Sequence, residues 1–222
     1  MKQLADGVWQ LRGFPPDAIN AYLADGVVID AATRHSGRRF LRQLKDHDVT
    51  AHALTHAHPD HQGASRTLCE VLEVPFWVGE RDADAAERPE LIKERQPDHP
   101  ITRLFYRTLT GPGRRVDRRL REGHEVAGFT VLEVPGHSAG HVAFWRERDG
   151  VLILGDVLTN MDTMTLLRGL REPKRYLTTD PARNRESARR LATLEPALCL
   201  FGHGPPLRDT RKFVDFIERL PA

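Results

Sequence analysis

The sequence predicts a layered α/β fold, in which helices cover the faces of β-sheets. Three observations lead there. Short apolar strand segments alternate with helical segments along most of the 222 residues. The alternation comes as two successive mixed halves, one before and one after a polar, Pro-punctuated stretch at about 80–110. No segment repeats at a solenoid period, and none is of low complexity.

Taken in order, Val8-Trp9-Gln10-Leu11 is apolar-rich, and residues 19–23 follow the turn formers Gly13-Phe14-Pro15-Pro16-Asp17, so both read as strands. Asp25-Gly26 is a two-residue hairpin signal leading into Val27-Val28-Ile29-Asp30. Ser36 can cap a helix from about 37 to 47 that carries Phe40, Leu41 and Leu44 on one face. Residues 49–55 form the next strand and run into His56-Ala57-His58-Pro59-Asp60-His61. A helix over about 61–71 and a strand at 75–78 complete the first half. Residues 80–110 read as a mainly helical insertion within a single domain spanning 1–222. Strands return near 123–126 and at 130–134, 142–145 and 151–154, the last two joined by Asp149-Gly150. Residues 157–179 lack a clean period. Asp180 caps a helix over about 181–194 with Pro181 in its first turn. A strand at 198–201 and a helix over about 210–220 follow.

Composition narrows the class of protein. Hydrophobic residues make up 40% and charged residues 29%, ordinary for a soluble globular chain long enough to bury a real core. No apolar run approaches the ~20 residues of a membrane helix, and the first seven residues are too polar for a secretory signal. The expected location is the cytoplasm, with no membrane partner. Cys69 falls in a helix and Cys199 in a strand, and both read as small buried apolar groups rather than a disulfide. A net charge of +2 does not suggest a nucleic-acid partner. The one dense basic run, Arg103, Arg107, Arg114, Arg115, Arg118, Arg119 and Arg121, reads as a solvated surface, with contact to an anionic ligand as its alternative.

The chemistry gathers at strand ends. Side chains at i and i+2 of an extended segment share a side, so His56 and His58 project together. Pro59 turns the chain, and Asp60 and His61 face the same cavity from a helix start. Three further candidates each follow a strand: His137 in Pro135-Gly136-His137, Asp156 in Gly155-Asp156, and His203 in Gly202-His203-Gly204. Ligand sites in α/β sheets collect at the carboxyl ends of strands, and this set of His and Asp fits a pair of metal ions. His141, four residues after His137, reads equally as a supporting group or as packing. The mixed N/O donors suit zinc, while iron and manganese also accept them.

These residues resemble the metallo-β-lactamase superfamily: Thr55-His56-Ala57-His58-Pro59-Asp60-His61, Pro135-Gly136-His137-Ser138-Ala139-Gly140-His141, Gly155-Asp156 and Gly202-His203. Asn20-Ala21-Tyr22-Leu23 and Val28-Ile29-Asp30 are similar to its first motif. The likeness covers about residues 8–206 and is nearest to the glyoxalase II-like and lactonase-like hydrolases. It implies a four-layer αβ/βα sandwich with the site along one edge of two packed sheets. It also implies that His56, His58 and His137 hold one metal, that Asp60, His61 and His203 hold the second, and that Asp156 bridges them. Asp30 resembles the family's buried supporting carboxylate. Some branches differ. The best-known zinc β-lactamases carry Cys where Asp156 stands, and flavodiiron proteins carry Glu at the position of His58. Glyoxalase II has a C-terminal helical extension for glutathione, whereas only 19 residues follow His203 here. The extra arms or domains of the tRNA-processing and β-CASP nucleases are not found.

The expected activity is hydrolysis of a small ester, thioester or lactone by a metal-bridging hydroxide, with Asp60 and Asp156 as catalytic carboxylates. Phe14, Met161, Met164 and Tyr176 are expected to wall the substrate pocket, and a homodimer is compatible with the chain. The alternatives are a dinuclear phosphodiesterase or nuclease and a mononuclear-iron sulfur dioxygenase.

Overall fold

The first half of the chain builds a seven-stranded sheet in chain order: β1 (Lys2–Ala5), β2 (Val8–Gln10), β3 (Tyr22–Ala24), β4 (Val27–Ile29), β5 (Ala51–Ala53), β6 (Phe76–Gly79) and β7 (Arg118–Leu120). The computed structural model describes residues 1–221, the side chain of Lys93 excepted. Strands β1 to β4 pair antiparallel and β4 to β7 parallel. Parallel neighbours need crossovers. These are α1 (Gly37–Leu44), then α2 (Pro59–Gln62) with α3 (Ser65–Leu72), then α4 (Ala83–Glu87), α5 (Glu90–Arg95) and α6 (Pro100–Leu109).

In the second half, β8 (Glu125–Val126), β9 (Phe129–Glu133), β10 (Val142–Arg146) and β11 (Val151–Gly155) pair antiparallel. A separate ribbon, β12 (Thr159–Met161) with β13 (Arg168–Arg171), follows. Helix α7 (Pro181–Ala192) returns the chain to β14 (Leu198–Phe201), which lies parallel to β11, and α8 (Thr210–Glu218) closes the chain.

Alternation along the strands makes the layers. In β11, Val151 and Ile153 join the core between the two sheets, with Val27, Ile29 and Phe144. Leu152 and Leu154 face the other way, onto Ala188, Leu191, Phe213 and Ile217 of α7 and α8. On the first sheet, Val28 points outward to Phe40, Leu44 and Leu68 of α1 and α3. The order is therefore helix, sheet, sheet, helix, the αβ/βα sandwich. At the end of the sandwich away from Asp30, the buried Arg146 guanidinium joins the layers. It donates to Asp149 (2.8 and 3.0 Å), Asp25 Oδ2 (2.9 Å) and the Asp6 carbonyl (2.7 Å), and it lies 4.7 Å from the Phe129 ring. Cys69 and Cys199 are buried and free.

Several boundaries differ from expectation. The strand expected at 19–23 begins only at Tyr22, because the Asn20 N–H already donates to the Gly202 carbonyl of the other sheet (2.8 Å). The helix expected over 61–71 is two helices, parted at Gly63-Ala64, where a Cβ on residue 63 would lie 2.3 Å from the Arg34 nitrogen. Strand β7 hides among the arginines: Leu120 alone is buried, while Arg118 lies over the Trp77 ring at 5.1 Å. Much of the basic run is ion-paired, with Arg103, Arg119 and Arg121 on Asp98, Asp84 and Glu80.

Candidate metal centre

Strands β4, β5, β9, β11 and β14 all end at the same edge of the sandwich, and the loops leaving them carry Asp30, His56 to His61, His137, Asp156 and His203. The sheets are stitched together there. Tyr22 Oη and Asn20 Nδ2 both donate to the Phe201 carbonyl (2.6 and 2.9 Å), and the Val142 N–H donates to the Thr55 carbonyl (2.8 Å).

All seven predicted ligands converge, buried. Donor atoms within 4.8 Å of one another form the sets His56/His58/His137 and Asp60/His61/His203, and also His56/His61/Asp156. His56 Nε2 and His58 Nδ1 are 3.0 Å apart. Asp156 Oδ2 lies 3.0 Å from His203 Nε2 and 3.5 Å from both His61 Nε2 and His137 Nε2, so it stands between the two sets.

The outer nitrogen of each imidazole is held. His56 Nδ1 faces Thr55 Oγ1 (3.0 Å), whose hydroxyl donates to Asp30 Oδ2 (2.8 Å). His61 Nδ1 meets Asp30 Oδ2 (2.9 Å), His137 Nδ1 meets Thr178 Oγ1 (3.2 Å) and His203 Nδ1 meets the Ala18 carbonyl (2.5 Å). Each of these rings is thereby turned so that Nε2 points inward. His58 is reversed: Nε2 contacts the Gln96 side-chain amide (2.8 Å) and Nδ1 points inward. Outer contacts of this kind fix tautomer and ring direction at metal sites.

Several of the inward atoms have no protein partner. His61 Nε2, His137 Nε2 and Asp156 Oδ1 are buried without a hydrogen bond, a costly condition for polar atoms. The electrostatics agree. Burial holds the pKa values of His56, His58 and His137 below the usual imidazole range, which leaves them neutral and able to donate a lone pair. Burial also opposes protonation of His203, but Asp156 and Asp60 outweigh it and push its pKa up to about 10. His61 is likewise raised against burial, by Asp156, Asp30 and Asp60. Protons on these two rings balance the carboxylate charge, as a divalent cation would. The donor set and the orphaned atoms thus fit a metal pair.

His141 lies beneath the site: its ring is 4.6 Å from the His56 ring, and its Nε2 accepts from the Asp156 N–H (3.4 Å). Two glycines let the loops approach this closely. A Cβ on Gly155 (φ +53°) would meet His141 Nε2 at 2.5 Å, and one on Gly202 would meet Asp156 Oδ1 at 2.1 Å.

A cleft opens over the cluster, lined by Phe105, Met161, Leu177, Arg171 and Lys174 among others. Of the four residues expected to wall it, Met161 does. Phe14 lies instead in a separate depression with Arg39 and Arg42, its ring under the Arg39 guanidinium. Met164 points to solvent from the ribbon turn, 62% exposed. Tyr176 is engaged by stacking on His99 at 4.6 Å.

Two supporting residues have no sequence signature. Asp82, buried just after β6, accepts from Ala57 N (3.1 Å), Gly140 N (2.8 Å) and Ser138 Oγ (2.6 Å), tying the His56–His58 loop to the His137 loop. Gln96 reaches His58 from the helical stretch between β6 and β7, and its Oε1 is buried without a partner. An amide can present either end to that ring.

Fold and site together define a metal-binding αβ/βα sandwich protein. A profile of the metallo-beta-lactamase superfamily matches residues 14–203, and the chain belongs to that superfamily of metallo-hydrolases. YflN, a probable metallo-hydrolase of Bacillus subtilis (strain 168), is 29% identical over 196 residues, which span 82% of this chain and 72% of YflN. A hydroxyacylglutathione hydrolase of Bdellovibrio bacteriovorus is 29% identical over 134 residues, 59% of this chain and 42% of that protein. Among solved structures, TTHA1623 in a di-iron-bound form is similar, with a TM-score of 0.71 and 29% identity, covering 94% of this chain and 96% of that one. Among the described residues, no helix is long and apolar enough to cross a membrane.

Proposed function

We propose that this chain is a metal-dependent hydrolase of a small acyl ester, thioester or lactone. The observation that carries the reading is Asp156, whose Oδ2 stands within 3.0–3.5 Å of inward nitrogens from both ligand sets, beneath a single cleft. On this reading His56, His58 and His137 would hold one ion, Asp60, His61 and His203 the other, and Asp156 would bridge them. Zinc suits the donors, and iron and manganese are the other candidates. A bound pair supplies Lewis acidity toward a carbonyl oxygen and acidifies water from a pKa of about 16 to about 7.

The chain does the positioning. Phe105, Met161 and Leu177 form the apolar wall that holds the acyl group and excludes water. Asp60 lines the cleft beside His203 (3.2 Å) and orients the attacking water, taking its proton on the carboxylate. Thr178 and Asp30 keep the imidazoles from turning.

Metal analysis together with a substrate panel tests this. Two divalent ions per chain are expected, with thioester, ester or lactone hydrolysis that chelation abolishes and metal restores. Asp156→Ala should lower kcat/KM by at least about 100-fold. One iron per chain with oxygen uptake on persulfide would overturn the reading, as would cleavage confined to phosphodiesters.

A further inference from the structure

We infer that Lys174 reads a carboxylate on the substrate, so that the cleft selects anionic over neutral acyl compounds. The term substrate rests on the hydrolase reading above; the carboxylate site rests on the charges around the cleft. Four charged side chains line it besides the candidate ligands: Asp162, Arg171, Glu172 and Lys174. Glu172 is neutralised from behind by Arg185 Nε (2.7 Å). Asp162 is shared by two cations, Arg171 Nη1 (3.2 Å) and Lys174 Nζ (2.5 Å), both on Oδ2. One positive charge is left over.

The geometry says which cation it is. Arg171 is occupied on all three of its nitrogens, with Nε on the Gly169 carbonyl (3.1 Å), Nη1 on Asp162 and Nη2 on the Leu167 carbonyl (3.0 Å). Arg171 thus holds the ribbon turn. Asp162 would keep partners if Lys174 turned to a ligand, because the Met164 and Thr165 N–H groups donate to its Oδ1 (2.9 and 3.1 Å) and Arg171 to its Oδ2. Lys174 offers three ammonium protons and has Asp162 as its one side-chain partner among the described residues. Its position is registered to the ligand cluster, since its carbonyl accepts from Thr178 Oγ1 (3.0 Å), the hydroxyl that also faces His137 Nδ1 (3.2 Å). A single ammonium matches a single carboxylate.

Glutarate is the probe, titrated by calorimetry into the zinc-loaded wild type, Lys174→Met and Lys174→Arg. Lys174→Met should bind it about 10-fold more weakly, the loss of roughly one charge-assisted hydrogen bond, while Lys174→Arg stays within a few-fold of the wild type. Equal affinity in wild type and Lys174→Met overturns the inference, and so does a wild type that binds no glutarate. The same preparations are then given S-acetyl-3-mercaptopropanoate and the uncharged S-butyl thioacetate. The kcat/KM ratio of the two should favour the anion in the wild type and fall about 10-fold in Lys174→Met. Cleavage of both with no Lys174-dependent preference overturns the inference and leaves the hydrolase standing. Failure to cleave any ester, thioester or lactone removes the hydrolase reading, and glutarate binding still decides the carboxylate site.

Discussion

At the scale of single residues, the site depends on what stands behind each imidazole. Four rings are anchored through Nδ1, by Thr55, Asp30, Thr178 and the Ala18 carbonyl, and His58 is anchored through Nε2 by Gln96. Removing an anchor leaves a ring free to rotate while its donor atom survives. Gln96→Leu should therefore weaken metal binding by about 10-fold or more with the fold intact. Competition with a chromophoric chelator reads this directly, and an unchanged affinity would show that His58 is held by its backbone alone. The sequence named the seven inner residues because histidines and aspartates after strands are a compact signal. Asp82 and Gln96 act on groups 25 to 58 residues away in sequence, and nothing local distinguishes them from an ordinary turn Asp and a surface Gln.

At the scale of elements, close approach at the strand ends should be measurable as stability. Gly155→Ala would force a left-handed alanine, φ +53°, with its Cβ 2.5 Å from His141 and 2.8 Å from Thr55. A loss of more than about 2 kcal/mol is expected. Gly128 provides the control: its φ is +71°, but a Cβ there meets nothing within 4 Å, so Gly128→Ala should cost only about 1 kcal/mol. Urea midpoints compare the two, and equal losses would mean that crowding contributes nothing. The apolar central strands β4, β10 and β11 were legible because they are buried on both faces. Strand β1 is polar and half exposed, β7 contains two arginines, and β12–β13 stands apart from the two large sheets, so none of these carries a hydrophobic period. Of the expected pocket residues Phe14, Met161, Met164 and Tyr176, only Met161 lines the cleft over the cluster, because a loop's apolar residues do not reveal which way the loop turns.

At the scale of the whole molecule, a buried histidine ties the first sheet to its helical cover. His52 Nδ1 donates to the Val28 carbonyl (2.9 Å) and Nε2 accepts from Ser65 Oγ (2.8 Å). Burial pushes its pKa down to about 4. The unfolded chain takes up this proton near pH 6.5 and the folded chain only near 4, so stability falls as pH drops through that window. Between pH 7 and 5 the contribution is about 2 kcal/mol. Urea unfolding should show it as a pH slope that is shallower in His52→Asn; equal slopes would remove the assignment. The two halves of the chain are bound together at the other end of the sandwich as well. Each ligand set borrows one histidine from the far half, His137 for His56 and His58, and His203 for Asp60 and His61. Neither half owns a complete site. If these sets hold metal as proposed, an ion would find its full set of donors during synthesis only once residue 203 had left the ribosome and both halves had docked, a late clasp on a nearly finished fold rather than a seed for it.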